Sequence, residues 1–396
     1  MNHFLIFGSH PLLSLAEAKA VIGGDRPVVE DRMAIFETDS WNGMELQERL
    51  AGTVKLGDVA AELSVRGLTA EKLADEIEAK PRNKKIEFGL TIYGGSPVQR
   101  EKTKKLPLQL KRVLQERGHS VRWVTGEKGE VTSAAVSKAE LTTKGYDFCI
   151  AFIEDRAVVG LTTNVQNMDA WSQRDFGRPF RDTETGMLPP KLARMMVNLA
   201  VGSSGENTLL DPFCGGGTVL MEAGLLGVKK AIGSDFDARQ IDGTKKNLEW
   251  LAKEKILEEK KRKTIKLFVQ PAEAIDRALK GELIDAIVTE GYLGRPLTGD
   301  ETLPTLKQHK YEIEDLWQKA LASFAKIQKR GGTIVCSWPV FVSSHGTVAV
   351  DLLEDVGRHG YRAVDPLEEW IDNPVTLTYA RPEQRVKRNI IVLERL

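Results

Sequence analysis

Leu209-Leu-Asp-Pro-Phe-Cys-Gly-Gly-Gly-Thr-Val-Leu-Met-Glu-Ala-Gly-Leu-Leu-Gly227 decides how this chain is read. Thr208, Leu209 and Leu210 form a short buried-strand run. Gly215, Gly216 and Gly217 follow, where positive φ is cheap and a ligand can approach the backbone. Thr218 is expected to cap the next helix. Val219, Leu220, Ala223 and Leu226 recur at helical spacing and predict its apolar face. A strand that feeds a helix through glycines is the nucleotide-binding turn at the carboxyl edge of a parallel sheet.

The glycines exclude two ligand classes. No Lys-Ser/Thr pair follows them, so this is not a P-loop. A dinucleotide fingerprint needs a third glycine where Leu220 stands. What remains is an acid, Asp211, at the end of the strand, then a glycine turn. That suits a ligand with a positive amine and no phosphate, and S-adenosylmethionine is one. A glycine turn without a ligand is the alternative at this point.

Working outward, the residues after 186 alternate strand and helix. The expected strands are Lys230–Ser234, Thr264–Val269, Leu283–Val288 and Gly331–Cys336. The expected helices are Lys191–Val201, Ala238–Glu254, Glu273–Leu279, Tyr311–Lys329 and Val348–Arg358, with a long loop over Thr289–Lys310. This alternation argues for a parallel sheet with helices on both faces. Tyr361–Val364, Val375–Tyr379 and Asn389–Leu393 follow without clear intervening helices and predict an antiparallel finish. The second strand ends at Asp235, where a doubly wound nucleotide site places an acid to accept the ribose hydroxyls. The third ends at Gln270-Pro-Ala-Glu273, near an adenine position, where Gln270 or Glu273 could accept from an exocyclic amine.

Upstream, residues 1–63 read as a small α+β unit. Residues 64–163 carry a strong charge bias. From Lys80 to Lys138 there are fourteen Lys/Arg and five acids, although the whole chain is neutral with 56 of each sign. A basic module on an otherwise acidic chain suits a polyanion partner. Lys84, Lys85, Arg100, Lys102, Lys104, Lys105, Lys111 and Arg112 are the candidate contacts. Aromatic residues are few there, so phosphate contact is expected over base stacking. Residues 164–185 lack apolar periodicity and read as a loop or docked linker. Their Arg174, Arg178 and Arg181 could hold phosphate or carboxylate, or pair with Asp175 and Asp182.

Cys149, Cys214 and Cys336 are far apart and fit neither a disulfide framework nor a metal site, so no metal is expected. A reducing cytoplasm fits. Neither a signal peptide nor a membrane span is visible, and a monomer is expected.

Asp211-Pro-Phe-Cys-Gly-Gly-Gly-Thr-Val219 resembles the first motif of class I amino-methyltransferases, and Gly233-Ser-Asp-Phe-Asp237 resembles their second. Arg174-Asp-Phe-Gly-Arg-Pro-Phe-Arg-Asp182 and Gly186-Met-Leu-Pro-Pro-Lys-Leu-Ala-Arg194 are similar to the lead-in of the tRNA guanosine-10 N2-methyltransferase family. The opening His3–Glu17 resembles that family's N-terminal segment. The resemblance implies a ferredoxin-like domain over 1–63, a THUMP-like RNA-binding domain over 64–163, a linker over 164–185, and a seven-stranded Rossmann-like methyltransferase domain over 186–396. It implies S-adenosylmethionine held by Asp211, Phe213, Gly215, Gly217, Thr218, Asp235, Phe236, Gln270 and Glu273, with tRNA as partner.

After the fourth strand the family carries an Asp-Pro-Pro-Tyr type motif, and this chain has Thr289-Glu-Gly-Tyr-Leu-Gly294. Glu290 would replace the acid and Tyr292 the stacking ring. The resemblance therefore implies transfer of a methyl to the N2 amine of a guanosine. A non-catalytic RNA-binding protein and a DNA amino-methyltransferase are the alternatives.

Overall fold

The computed structural model describes all 396 residues except 40, 127, 128, 183–186 and 206. The 185/186 boundary, Gly186 of the lead-in, and Glu127 and Lys128 of the basic stretch lie outside the described residues. The chain divides into two compact units, Met1–Leu15 with Gly24–Met168 and Ala16–Gly23 with Asp169–Leu396.

The first unit is built on one eight-stranded sheet. Its strands are β1 (Asn2–Phe7), β2 (Val28–Glu30), β3 (Met33–Glu37), β4 (Thr53–Ser64), β5 (Lys85–Gly94), β6 (Ser120–Trp123), β7 (Tyr146–Ile153) and β8 (Arg156–Val165), in the order β2-β3-β1-β4-β8-β7-β5-β6. β5 pairs in parallel with β6 and β7. Along β7 successive side chains alternate between two cores. Tyr146, Phe148, Ile150 and Phe152 join a cluster with Leu73, Ile77, Leu110 and Leu114, which lie on the helices Ala70–Ala79 and Leu106–Glu116. Cys149 and Ala151 face Phe4, Ile6 and Met33. A strand buried on both faces reads as a continuous apolar run, and Tyr146–Ile153 does.

The antiparallel pair β4–β8 joins the strands of residues 1–64 to those that follow. Beside this seam Lys55 Nζ donates to Asp147 Oδ2 at 2.8 Å, and Thr162 Oγ1 donates to the same oxygen at 2.7 Å. Both charges are buried.

The second unit carries β9 (Thr208–Asp211), β10 (Lys230–Asp235), β11 (Ile265–Val269), β12 (Ile284–Thr289), β13 (Gln328–Ser343), β14 (Gly346–Ala349), β15 (Tyr361–Val364), β16 (Leu377–Tyr379) and β17 (Val386–Arg395). The path is β11-β10-β9-β12-β13-β17-β15. The first five strands are parallel. β17 runs antiparallel between β13 and β15. The strand order reverses between β9 and β12, which is where open α/β sheets place ligands.

Four expectations are corrected. Met168–Phe176 is a helix, not loop. The helix expected from Tyr311 begins at Leu303, because the Thr302 side chain accepts from Thr305 N and Pro304 suits the first turn. β13 runs well past Cys336 because it pairs with β17 from Thr333 to Phe341. Val348–Arg358 is not one helix. Val348 and Ala349 belong to β14, which pairs with β13, and only Val356–His359 forms a short helical turn, closed by Gly360 at φ +76°.

All three cysteines are free and buried. Among the described residues no helix is long and apolar enough to cross a membrane, and no group of three or more His, Cys, Asp or Glu is arranged to hold a metal ion.

The buried Lys55–Asp147 pair gives a stability test. Lys55→Met leaves the Asp147 carboxylate buried without its cation. Urea unfolding should show a loss of about 3–5 kcal/mol. A loss below about 1 kcal/mol would show that the carboxylate is solvated or neutral without Lys55.

Candidate functional site

The turn after β9 is fastened from several directions. Cys214 N donates to Ser234 O at 2.9 Å, and Gly217 N to Cys214 O at 2.7 Å. Gly215 N donates to Asp235 Oδ2 at 3.0 Å. From the helix Ala238–Lys253, Thr244 Oγ1 donates to Gly215 O at 2.6 Å and Asn247 Nδ2 to Gly216 O at 2.8 Å. Gly215 and Gly217 have φ of +49° and +81°. The two glycines do different work. A Cβ on Gly217 would sit 2.6 Å from Thr244 Cγ2, whereas one on Gly215 would meet nothing nearer than 3.9 Å. Gly217 is needed for packing, and Gly215 leaves open space for a ligand.

Thr218 does not cap the helix. Gly217 occupies the cap position without a side-chain bond, and Thr218 is the first residue of the helix Thr218–Leu225. Its hydroxyl instead accepts from Arg178 Nη1.

Asp211 is 2 % exposed and its Oδ1 accepts from Phe213 N at 3.2 Å. Burial pushes its carboxyl up to about 7, and the charges of Asp235 and Glu290 push the same way. Asp235 is also raised by burial, against the backbone N–H groups of Asp237 and Gly215. No lysine or arginine pairs with either acid among the described residues. The structure thus brings Asp211, Asp235 and Glu290 together at the carboxyl edge of β9, β10 and β12.

Phe236 follows Asp235 with its ring 77 % exposed. Gln270 N donates to Asp235 O at 2.9 Å. Its side-chain amide donates to Ala274 O, closing its own turn. Glu273 is exposed in the short helical turn after β11. Phe213 is half-buried, its ring centroid 5.8 Å from that of Trp317.

Glu290 leaves the end of β12. Its backbone carbonyl accepts from Ser337 Oγ at 3.0 Å, and its carboxylate accepts from Arg388 Nε. Gly291 has φ +69°, and a Cβ there would lie 2.7 Å from the Trp317 ring. Tyr292 is exposed.

The lead-in arginines pair with carboxylate, chiefly through an acid the sequence reading passed over. Glu222, fully buried, accepts from Arg174 Nε at 2.8 Å and from Arg194 Nε at 2.7 Å. Both guanidinium groups lie over the Trp171 ring. Arg178 reaches Asp175 at 3.8 Å, and Asp182 accepts from Arg239 at 3.1 Å and from Gln240. Arg181 lies over the Phe176 ring. Phe180 N donates to Asn247 Oδ1, and the Phe180 ring packs on Gly243. Gln240, Thr244 and Asn247 were also passed over. Their helical spacing put three polar side chains on an inward face, which was the available signal.

In the first unit Lys84, Lys85, Arg100, Lys102, Lys104, Lys105 and Arg112 are exposed, and Lys111 is half-buried. Lys85 pairs with Glu87 and Lys104 with Glu101. Arg100 Nε donates to Gly94 O. Lys102 and Arg100 lie on a helix, Pro97–Thr103, that the sequence reading did not expect. Its signal was the capping box of Ser96 and Gln99. Two cations of the basic stretch serve the fold. Arg82 donates to the carbonyls of Leu141, Thr142 and Gly145, and Arg117 pairs with Asp75 and Glu78.

The second unit has an α/β fold of the class I methyltransferase type. Residues 178–278 match the family described as RMKL-like, methyltransferase domain. The chain is 40 % identical over 154 residues to the tRNA (guanine(10)-N2)-dimethyltransferase of Methanocaldococcus jannaschii, covering 39 % of this chain and 38 % of that one. It is 30 % identical over 185 residues to the protein of the same name from Pyrococcus abyssi, covering 47 % and 45 %. The matched stretch thus spans less than half the length of these curated relatives. The fold is similar over the whole of both chains to TrmN from Thermus thermophilus, at a TM-score of 0.55 and 17 % identity.

Asp211 makes stability depend on pH. The folded state keeps the proton to about pH 7, while the unfolded chain releases it near about pH 4. Between those values the unfolded state is favoured progressively, so stability falls as pH rises through this window. Asp211→Asn removes this contribution. Thermal melts of the variant and the wild type should therefore diverge in the variant's favour from about pH 4 to about pH 7. A difference constant with pH would show that Asp211 titrates normally.

Proposed function

We propose that this protein is an S-adenosylmethionine-dependent methyltransferase acting on the exocyclic N2 amine of a guanosine in tRNA. The observation that carries the reading is the cluster of acids, buried Asp211 and Asp235 with half-buried Glu290, beside the open face of Gly215. Asp211 and Asp235 are met by backbone N–H groups rather than by a cation, so a cationic ligand relieves the strain of their burial. The methionyl ammonium and the sulfonium of S-adenosylmethionine are such charges.

The residues present fit this group. Asp235 would take the ribose hydroxyls, the exposed Phe236 ring would lie against the base, and the edge of Gln270 would face the adenine amine. Gly215 and Gly217 shape the turn, and Asp211 sits behind it. Bound there, the cofactor supplies an electrophilic methyl. Glu290 accepts an N–H of the substrate amine, which turns the nitrogen lone pair toward that methyl, and is placed to receive the proton released. Tyr292 stacks on the guanine. In a duplex that amine is buried, so the base must leave its stack to reach this site. The rate gain comes mainly from positioning.

The curated relatives support the substrate by their names. For the first unit we propose a ferredoxin-like half and a THUMP-like half sharing one sheet, with the exposed lysines and arginines from Lys84 to Arg112 on the phosphate backbone. A tRNA substrate is consistent with a cytoplasmic protein.

Calorimetry with S-adenosylmethionine, then mass spectrometry of tRNA nucleosides after incubation with labelled cofactor, tests the function. N2-methylated guanosine is the expected product. Binding without incorporation would leave an RNA-binding protein, and preferential labelling of duplex DNA would move the substrate class. Replacing Lys102, Lys104 and Lys105 by Ala should weaken tRNA binding and make the log affinity against log salt slope shallower by roughly two units. An unchanged slope would take these lysines out of the interface.

A further inference from the structure

Glu290 is held at two points, from β13 and from β17 beyond it. Ser337 of β13 fixes its carbonyl, and Arg388 of β17 donates Nε to its Oε1. Arg388 lies opposite Pro339 of β13 on one side and Tyr379 of β16 on the other, so its backbone is locked in the sheet. Its side chain is almost wholly buried, and that of Glu290 is mostly so. Just before β17, Arg385 Nη1 donates to Leu297 O at 3.1 Å and its guanidinium packs against Gly299. The segment 385–388 therefore fastens the loop after β12 at its first residue and again near its middle.

A carboxylate has two oxygens that accept hydrogen bonds. Arg388 occupies Oε1 of Glu290 with its Nε, so the second oxygen, Oε2, is the acceptor left for the substrate.

Resting on the methyltransferase reading above, we propose that Arg388 is a positioning residue for the transfer: it holds the Glu290 carboxylate by Oε1 and turns Oε2 toward the exocyclic amine. The side-chain bond of Arg388 is to Glu290. Its effect passes through Glu290, on a scale set by how steeply rate depends on placement of the accepting group.

The test is a double-mutant cycle with Arg388→Gln, Glu290→Gln and both together, assayed for methyl transfer to tRNA. Each protein is also measured for S-adenosylmethionine affinity by calorimetry and for melting temperature. Arg388→Gln should lower kcat about 100-fold while cofactor Kd and tRNA KM stay within about threefold of wild type. The double variant should be no slower than Glu290→Gln, because both changes remove one function. If Arg388→Gln fails to fold, Arg388→Lys decides. It restores a cation without the fixed Nε donor and should lose about tenfold in kcat.

An active wild type with Arg388→Gln, or Arg388→Lys in its stead, within threefold of its kcat overturns the proposal and leaves the function standing. So does a loss confined to KM or cofactor Kd, or a double variant in which the two losses multiply. A wild type that binds cofactor but labels no tRNA guanosine overturns the function, and this proposal with it.

Discussion

Burying a carboxylate costs free energy unless hydrogen bonds or a cation replace its water. Around one glycine turn the second unit buries Asp211, Glu222 and Asp235 and half-buries Glu290, and much of its architecture follows from how each is accommodated. Glu222 takes two arginines, which hold the helix Met168–Phe176 and the helix Pro190–Val201 against the helix Thr218–Leu225. Asp235 takes the N–H groups of Gly215 and Asp237, which fixes the turn to β10. Glu290 takes Arg388, which ties the end of β12 to β17. Asp211 takes one backbone N–H and keeps its proton to about pH 7. Asp211 and Asp235, which bind N–H groups of the turn itself, are thus the ones left without a cation. The fully compensated acid, Glu222, holds two arginines and serves packing.

This distinction sets what could be read from sequence. β9, β10 and β12 were legible to within a residue or so, because each is an apolar run bounded by an acid, a glycine or both. The places of Asp211 and Asp235 at strand ends were legible from the alternating α/β pattern, and that of Glu290 from the family motif expected after the fourth strand. Glu222 was not, since one acid in an apolar helix carries no mark of the two arginines that meet it from sequence-distant elements. The helix Met168–Phe176 was missed for the same reason. Its buried residues are Trp171 and Arg174, so it is held by a guanidinium on a carboxylate and not by an apolar stripe. The start of the long helix at Leu303 was hidden differently. Glycine and proline continue up to Pro304, and a proline in a first turn looks, in sequence, like one in a loop.

The first unit shows the converse problem with charge. Fourteen basic residues in one stretch look alike in sequence, yet the fold uses some of them internally. Arg82 ties down three carbonyls, and Arg117 bridges to the neighbouring helix Ala70–Ala79. The helix Pro97–Thr103 buries none of its side chains. A short helix without an apolar face gains little from packing. It persists here through the Ser96–Gln99 capping box and the bond from Arg100 to Gly94 O. That leaves Lys102, with Lys104 and Lys105 just beyond the helix, projecting into solvent with modest local neutralisation from Glu101. The sheet beneath buries its apolar residues on both faces, so solvent-exposed cations are what this region offers to a partner.

The departure of Glu290-Gly291-Tyr292 from an Asp-Pro-Pro-Tyr pattern is conformational before it is chemical. Proline fixes φ near −65°, and residue 291 has φ +69° with its α-carbon pressed toward Trp317. A proline at 291 would require a different exit from β12. The chain turns through the left-handed region instead, which brings the aromatic residue one place earlier than in the Asp-Pro-Pro-Tyr pattern. The acid preceding that turn is a glutamate, one methylene longer than aspartate. A longer, freer side chain needs an external restraint to place its carboxylate as closely as a short one. Arg388 supplies that restraint from β17, the strand on the far side of β13. The longer acid, the glycine turn and the buried arginine together fix where the carboxylate sits at the end of β12.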